Sequence, residues 1–236
     1  MINEELKKYY LTKIDDLKTI KSNLENQNQK YAGPLLLYCY EENYLDTDNI
    51  KIMFVGKETN GWNNQDISLE GIIDHCIKLA KETMSREYNK SRPFWNFIKK
   101  INETINPEKE LNFIWNNINK FGKKKTTGIT GSGRGRASKQ VLEQENEYFN
   151  VFITELEITK PDVVIFLTGP SYDKDIKKKL PNVRFEKCSD LKPRKFARVV
   201  HEKLPKKSFR VYHPQYLRLS RKEGKYIELL KEKINT

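Results

Sequence analysis

Three short polar segments each follow an apolar run, and each carries side chains able to work on a bound ligand. The first is Phe54-Val55-Gly56-Lys57-Glu58-Thr59-Asn60-Gly61-Trp62. Its two glycines let the backbone approach a ligand, and Glu58 sits in the turn as a candidate general base; the alternative is an ordinary strand-to-helix turn with an exposed Glu. The second is Phe166-Leu167-Thr168-Gly169-Pro170-Ser171-Tyr172-Asp173, a strand end of a kind common in α/β proteins. The third is Val211-Tyr212-His213-Pro214-Gln215-Tyr216-Leu217-Arg218. A His directly after a buried strand, held by the following Pro, either donates a hydrogen bond into a cleft or caps a turn at the surface. Open parallel sheets bind ligands beyond the carboxyl ends of their strands, so the three segments are candidates for one site.

A fourth stretch, residues 121–139, is rich in Gly, Ser and basic residues. Its core, Gly131-Ser132-Gly133-Arg134-Gly135-Arg136, lacks the last glycine of GxGxxG, has no Gly-Lys-Ser/Thr, and follows no clear strand. Neither a dinucleotide fingerprint nor a P-loop is present. Lys123, Lys124, Lys125, Arg134 and Arg136 either touch phosphates or belong to a solvated loop. Asp74-His75-Cys76 lies on a helical face and reads as structural. Cys39, Cys76 and Cys188 are an odd set without CxxC spacing, which argues against a disulfide framework, a zinc ribbon or a four-cysteine cluster. No metal or other cofactor is expected.

The elements that must position these residues alternate between strand and helix. Residues 3–28 space apolar side chains three or four apart, as in an amphipathic helix, and Lys51 to Val55 is a compact strand closed by Gly56. Residues 66–104 read as helical with a break at Arg92-Pro93. Strand candidates follow at Leu111–Lys120, Val163–Leu167, Val183–Phe185 and Phe209–Tyr212, with helices over Val141–Thr159, after Gly169-Pro170, and over Arg221–Lys233. This order predicts an α/β fold with a central, mostly parallel sheet. Without a repeat or clear linker, the 236 residues read as one domain, with residues 1–30 packed on it as an N-terminal helix. The chain has 44 Lys plus Arg against 32 Asp plus Glu, a net charge of +12, which points to a polyanionic partner. The longest apolar runs fall far short of the ~20 residues of a membrane helix. The chain therefore reads as soluble, cytoplasmic and away from membranes, and a monomer is expected.

In this order and at these spacings, the strand ends resemble the uracil-DNA glycosylase superfamily. Gly56-Lys57-Glu58-Thr59-Asn60 resembles its Gly-x-Asp/Asn/Ala-Pro-type motif, and His213-Pro214-Gln215-Tyr216-Leu217 its His-Pro-Ser-Pro-Leu-type motif. Thr59 replaces the usual proline and Gln215 the serine. Phe113 to Lys120 occupies the place of the base-reading Asn, and Leu167-Thr168-Gly169 that of a Leu-Gly strand end. Val55 to Trp62 looks most like a bacterial and phage branch. The resemblance runs from about Ile52 to Leu219 and implies a three-layer α/β/α fold acting on DNA, single- or double-stranded.

By the resemblance, Glu58 is the carboxylate beneath the sugar and His213 the donor to the departing base. Asn117 reads the base edge, with Asn116 and Asn119 as alternatives. Trp62 stacks on the base or packs in the core. The expected cleft comprises Gly56, Lys57, Thr59, Asn60, Trp62, Asn117, Gly169, Ser171 and Tyr172. Leu217 matches the position that wedges into the base stack, and Arg218, Arg221, Lys222, Lys123, Lys124, Arg134 and Arg136 are expected at phosphates. The implied function is hydrolysis of the N-glycosidic bond of a damaged or modified base. The alternatives are a non-catalytic nucleic-acid or nucleotide-binding module and an enzyme of free nucleosides.

Overall fold

The computed structural model describes residues 1–59, 71–125 and 135–236. The chain opens with helices α1 (Ile2–Leu11) and α2 (Ile14–Asn26), strand β1 (Tyr31–Ala32) and helix α3 (Glu41–Tyr44). Strand β2 (Ile52–Gly56) is followed by α4 (Ile72–Tyr88), α5 (Pro93–Ile105), β3 (Phe113–Asn117) and β4 (Gly122–Lys123). Helices α6 (Lys139–Tyr148) and α7 (Phe152–Thr159) lead into β5 (Val163–Phe166) and α8 (Asp173–Lys179). Strands β6 (Arg184–Glu186), β7 (Phe196–Val200) and β8 (Lys207–Val211) precede α9 (Pro214–Leu219) and α10 (Glu223–Asn235).

Among the described residues the main sheet runs β3-β2-β5-β8-β7-β6. Strands β3, β2, β5 and β8 are parallel neighbours, and β7 and β6 end the sheet antiparallel. Strands covered on both faces need apolar side chains at every position, which explains the unbroken runs of β2 and β5. Successive side chains then serve opposite layers. Met53, Val55, Ile114, Val164 and Phe166 pack with residues of α1, α2, α6, α7 and α8. Ile52, Phe54, Phe113, Trp115, Ile165 and Phe209 pack with α5, α9 and α10 on the other face. The result is an α/β/α sandwich. The chain passes from β2 outward to β3 and returns across β2 to β5, so the connections diverge between β2 and β5, where such sheets open a ligand crevice. No helix among the described residues is long and apolar enough to cross a membrane.

Several boundaries differ from expectation for local reasons. The N-terminal helix is two helices, because Thr12 and Lys13 donate to carbonyls three residues back at Tyr9 and Tyr10, and the Thr12 hydroxyl also bonds the Tyr9 carbonyl at 2.7 Å. The helix expected over 141–159 breaks between α6 and α7. Phe149 and Val151 are both buried, and residues two apart in a continuous helix would point to opposite sides. Strand β7 and helix α9 were not foreseen. The start of the Gly-rich stretch forms β4, paired with β1.

Beneath the carboxyl edge of the sheet lie two buried ion pairs. Lys120 Nζ meets Glu155 Oε2 at 2.6 Å, and Lys179 Nζ meets Glu145 Oε1 at 2.7 Å. All four side chains are at most 2% exposed. Glu155 also accepts from the Tyr10 hydroxyl at 2.7 Å and from Asn116 Nδ2 at 3.0 Å. Glu145 accepts from the backbone N–H groups of Lys120 and Phe121. Removing one member of such a pair strands a buried charge, so Glu155→Leu is expected to cost about 3–5 kcal/mol. Adding Lys120→Met should recover part of that loss. Urea unfolding of the single and double variants checks both, and a Glu155→Leu protein as stable as wild type would refute the account.

Candidate functional site

The parallel register brings the ends of β3, β2, β5 and β8 to one edge, and the side chains there fall into two groups. The first lies on the α5 and α9 side. Gly56 is paired in register with Asn117, and the Asn117 amide lies across it. A Cβ on Gly56 would come within 2.3 Å of Asn117 Oδ1 and 3.2 Å of Phe94 Cζ, so only glycine fits beneath that amide. Asn117 is 2% exposed, and its Nδ2 has no hydrogen-bond partner among the described residues. A buried amide donor left open is costly, which makes it a feature that a ligand acceptor would complete.

His213 closes the same group. Its ring stacks on Phe94 with centroids 5.9 Å apart and planes at 23°. Nδ1 accepts the Gln215 N–H at 3.3 Å and caps α9, so the neutral ring carries its proton on Nε2. Burial, with a smaller contribution from the Lys57 charge, pushes its pKa down to about 4. Near neutral pH, His213 is thus an uncharged donor.

The second group lies toward α8. The Tyr172 hydroxyl donates to Glu58 Oε2 at 2.5 Å. Burial raises the Glu58 pKa above its ordinary value, against the opposing effects of the Tyr172 hydrogen bond and of Lys57 and Arg136. Arg136 lies 4.2 Å and Lys57 5.3 Å from the centre of the Tyr172 ring. Arg136 also donates to Asp175 Oδ2 at 2.6 Å and to the Ser171 carbonyl at 3.2 Å. The turn leading into Tyr172 needs Gly169, which sits at φ 71° and donates its N–H to the Val211 carbonyl at 2.9 Å. This bond ties the end of β5 to the end of β8.

The structure therefore gathers Gly56, Lys57, Glu58, Asn117, Gly169, Tyr172, His213 and Arg136 at one edge, with Ser171 contributing its carbonyl. The Asn116 side chain, one of the expected alternatives to Asn117, is engaged with Glu155 and Lys120 on the opposite face. Asn119 is buried, and its Nδ2 has no hydrogen-bond partner among the described residues, so it remains an alternative to Asn117 as a second open amide. Two expected roles need correction. Thr59 is completely buried, and its hydroxyl donates to the Ala32 carbonyl at 3.3 Å, so it supports the edge from below. Leu217 is likewise 0% exposed within the core. It shares the inner face of α9 with Pro214, three residues away, and is not presented as a wedge. The exposed apolar side chains of α9 are Tyr216 and Leu219.

Arg221 and Lys222 are exposed at the start of α10, and exposed Arg218 donates to the Ser91 carbonyl at 3.0 Å. Lys123 is exposed on β4, followed by partly exposed Lys124. Arg136, still exposed, is held against the Tyr172 ring and the Asp175 carboxylate instead of lying in a free solvated loop. Asn60, Trp62 and Arg134 lie outside the described residues. Phe94 and Thr168 were not foreseen. Phe94 follows the Arg92-Pro93 break, and only its long-range contact with His213 reveals its position. The Thr168 hydroxyl, just past the end of β5, is buried without a hydrogen-bond partner among the described residues. No group of three His, Cys, Asp or Glu side chains suited to a metal ion occurs among the described residues.

The depressed pKa of His213 has a stability consequence. Between pH 6.5, its ordinary value, and about 4, the unfolded chain takes up a proton that the folded chain refuses. Stability is then lost as pH falls through that window, by up to about 3 kcal/mol from this group. A His213→Gln protein should show a shallower decline by that amount in urea unfolding from pH 7 to 4, and parallel profiles would contradict the assignment. In comparison with known proteins, the chain matches no protein-family model and no curated sequence, so its chemistry has to be read from the side chains at this edge.

Proposed function

We propose that the chain is a uracil-DNA glycosylase-like protein that hydrolyses the N-glycosidic bond of a damaged or modified base in DNA. The observation that carries this reading is the open, buried Asn117 amide set between Gly56, Phe94 and His213. Such a pocket offers a paired donor and acceptor to a base edge, an aromatic face to its ring, and a neutral imidazole N–H to an exocyclic oxygen. The parallel strand order and the delivery of Glu58 to the same sheet edge add support.

Cleavage of the bond leaves positive charge on the sugar and negative charge on the base. Glu58, as a carboxylate, stabilises the first and orients the attacking water, with Tyr172 holding it in place. His213 stabilises the second by donating from Nε2 without itself losing a proton. A base in a duplex must first leave the stack, at a cost of a few kcal/mol. The second reading, a non-catalytic nucleic-acid or nucleotide-binding module, is favoured by one observation: burial disfavours the ionised form of Glu58 that the chemistry requires.

The deciding experiment incubates the protein with single- and double-stranded oligonucleotides carrying a panel of modified bases, scored for abasic sites. Turnover on at least one base is expected, and its absence across the panel selects the binding module. Glu58→Gln should lower turnover by about 10²-fold or more while leaving binding intact. Because Glu58 must be ionised and its pKa is raised, wild-type activity should fall with decreasing pH, with its midpoint above the ordinary value of 4.5. That fall precedes protonation of His213 at about 4. Undiminished activity in Glu58→Gln would remove Glu58 from the mechanism.

A further inference from the structure

We infer that the crevice between the ends of β2 and β5 holds a phosphate group, bound by Lys57 and Arg136 above Tyr172. The inference rests on the base-pocket reading and names the class of ligand that fills the rest of the site: a nucleotide unit, in preference to a neutral nucleoside.

Two cations converge on one aromatic ring, Lys57 at 5.3 Å and Arg136 at 4.2 Å from its centre. Arg136 has its counter-ion in Asp175. The Lys57 Nζ makes neither an ion pair nor a hydrogen bond among the described residues, and the nearby Glu58 charge alone favours its ammonium. The neighbouring carboxylate, Glu58, accepts from the Tyr172 hydroxyl. Lys57 is only partly exposed, and burial disfavours its ammonium more than the Glu58 charge supports it. Thr168 adds an independent sign. Its hydroxyl is buried and has no hydrogen-bond partner among the described residues, and it directly follows Leu167, whose N–H bonds the Val55 carbonyl of β2. It thus stands at the β2–β5 junction itself. An ammonium, a guanidinium and a hydroxyl at a topological switch point form a donor set suited to phosphate oxygens.

The phosphate has two sources, a phosphodiester flanking the base in a strand or the terminal group of a free nucleotide. Both are tested by titrating the full chain with the four deoxynucleosides, their 5′-monophosphates, and a single strand of about ten nucleotides. Phosphate-bearing ligands should bind about tenfold or more tighter than nucleosides. Lys57→Gln should erase that advantage, and Lys57→Arg should restore most of it. In the strand arm, Lys57→Gln should also reduce the log–log salt slope by about 0.7. An advantage confined to the strand assigns a phosphodiester, and one shared by the monophosphates assigns a terminal phosphate.

Equal binding of nucleoside, monophosphate and strand overturns the phosphate site and leaves the base pocket standing. No binding by any of them overturns the phosphate site, and the base pocket is then judged by the modified-base panel alone. Should Lys57→Gln fail to fold, the wild-type protein still decides between a phosphodiester and none. Strands carrying one neutral methylphosphonate at successive positions should lose about tenfold at a single position, and uniform affinity, with no monophosphate advantage, refutes the proposal.

Discussion

The carboxyl edge of this sheet is held in place by charges that never meet water. Glu155 gathers the Lys120 ammonium, the Tyr10 hydroxyl and the Asn116 amide, while Asn116 Oδ1 accepts the backbone N–H of Asn117 at 2.7 Å. Glu145 receives the backbone of residues 120 and 121 together with Lys179. The chain leaving β3 is thereby fixed in rotation as well as position. Ion pairs of this kind add little net stability over apolar packing, but their hydrogen bonds are directional. The open amide of Asn117 inherits its orientation from them, across the plane of the sheet.

The site divides its work between the two faces of one sheet. Toward α5 and α9 it is flat and uncharged, with an amide, a phenyl ring and a neutral imidazole. Toward α8 it is ionic, with Glu58, Lys57 and Arg136 gathered around Tyr172. Parallel strands make this division natural. Residues adjacent in sequence at a strand end are delivered to opposite layers, and neighbouring strands contribute at the same height. A ligand with a planar apolar part and a charged part matches such an edge better than one that is uniformly either.

How much of this was legible in the sequence depended on the range of the interaction. Strands β2 and β5 were readable from their unbroken apolar runs, and the delivery of Glu58, Gly169 and His213 to one sheet edge followed from their places just after strands. The split of the N-terminal helix at Thr12 was not, because it turns on three hydrogen bonds within one turn. Leu217 was misplaced because a motif position says nothing about which side of a six-residue helix faces inward. Phe94 meets His213, and Lys120 meets Glu155, across separations that no local pattern encodes. Arg136 read as part of a basic loop because its partners Tyr172 and Asp175 belong to another segment.

The close approach at Gly56 also constrains how this chain can vary. With a Cβ at 56 destined to fall 2.3 Å from the Asn117 oxygen, neither position is free to change alone. A side chain at 56 is admissible only if 117 shortens, and a shortened 117 leaves a void over the glycine. The two positions are energetically coupled. Related sequences that keep the fold but recognise something else at this edge should exchange them as a pair, one residue growing as the other shrinks.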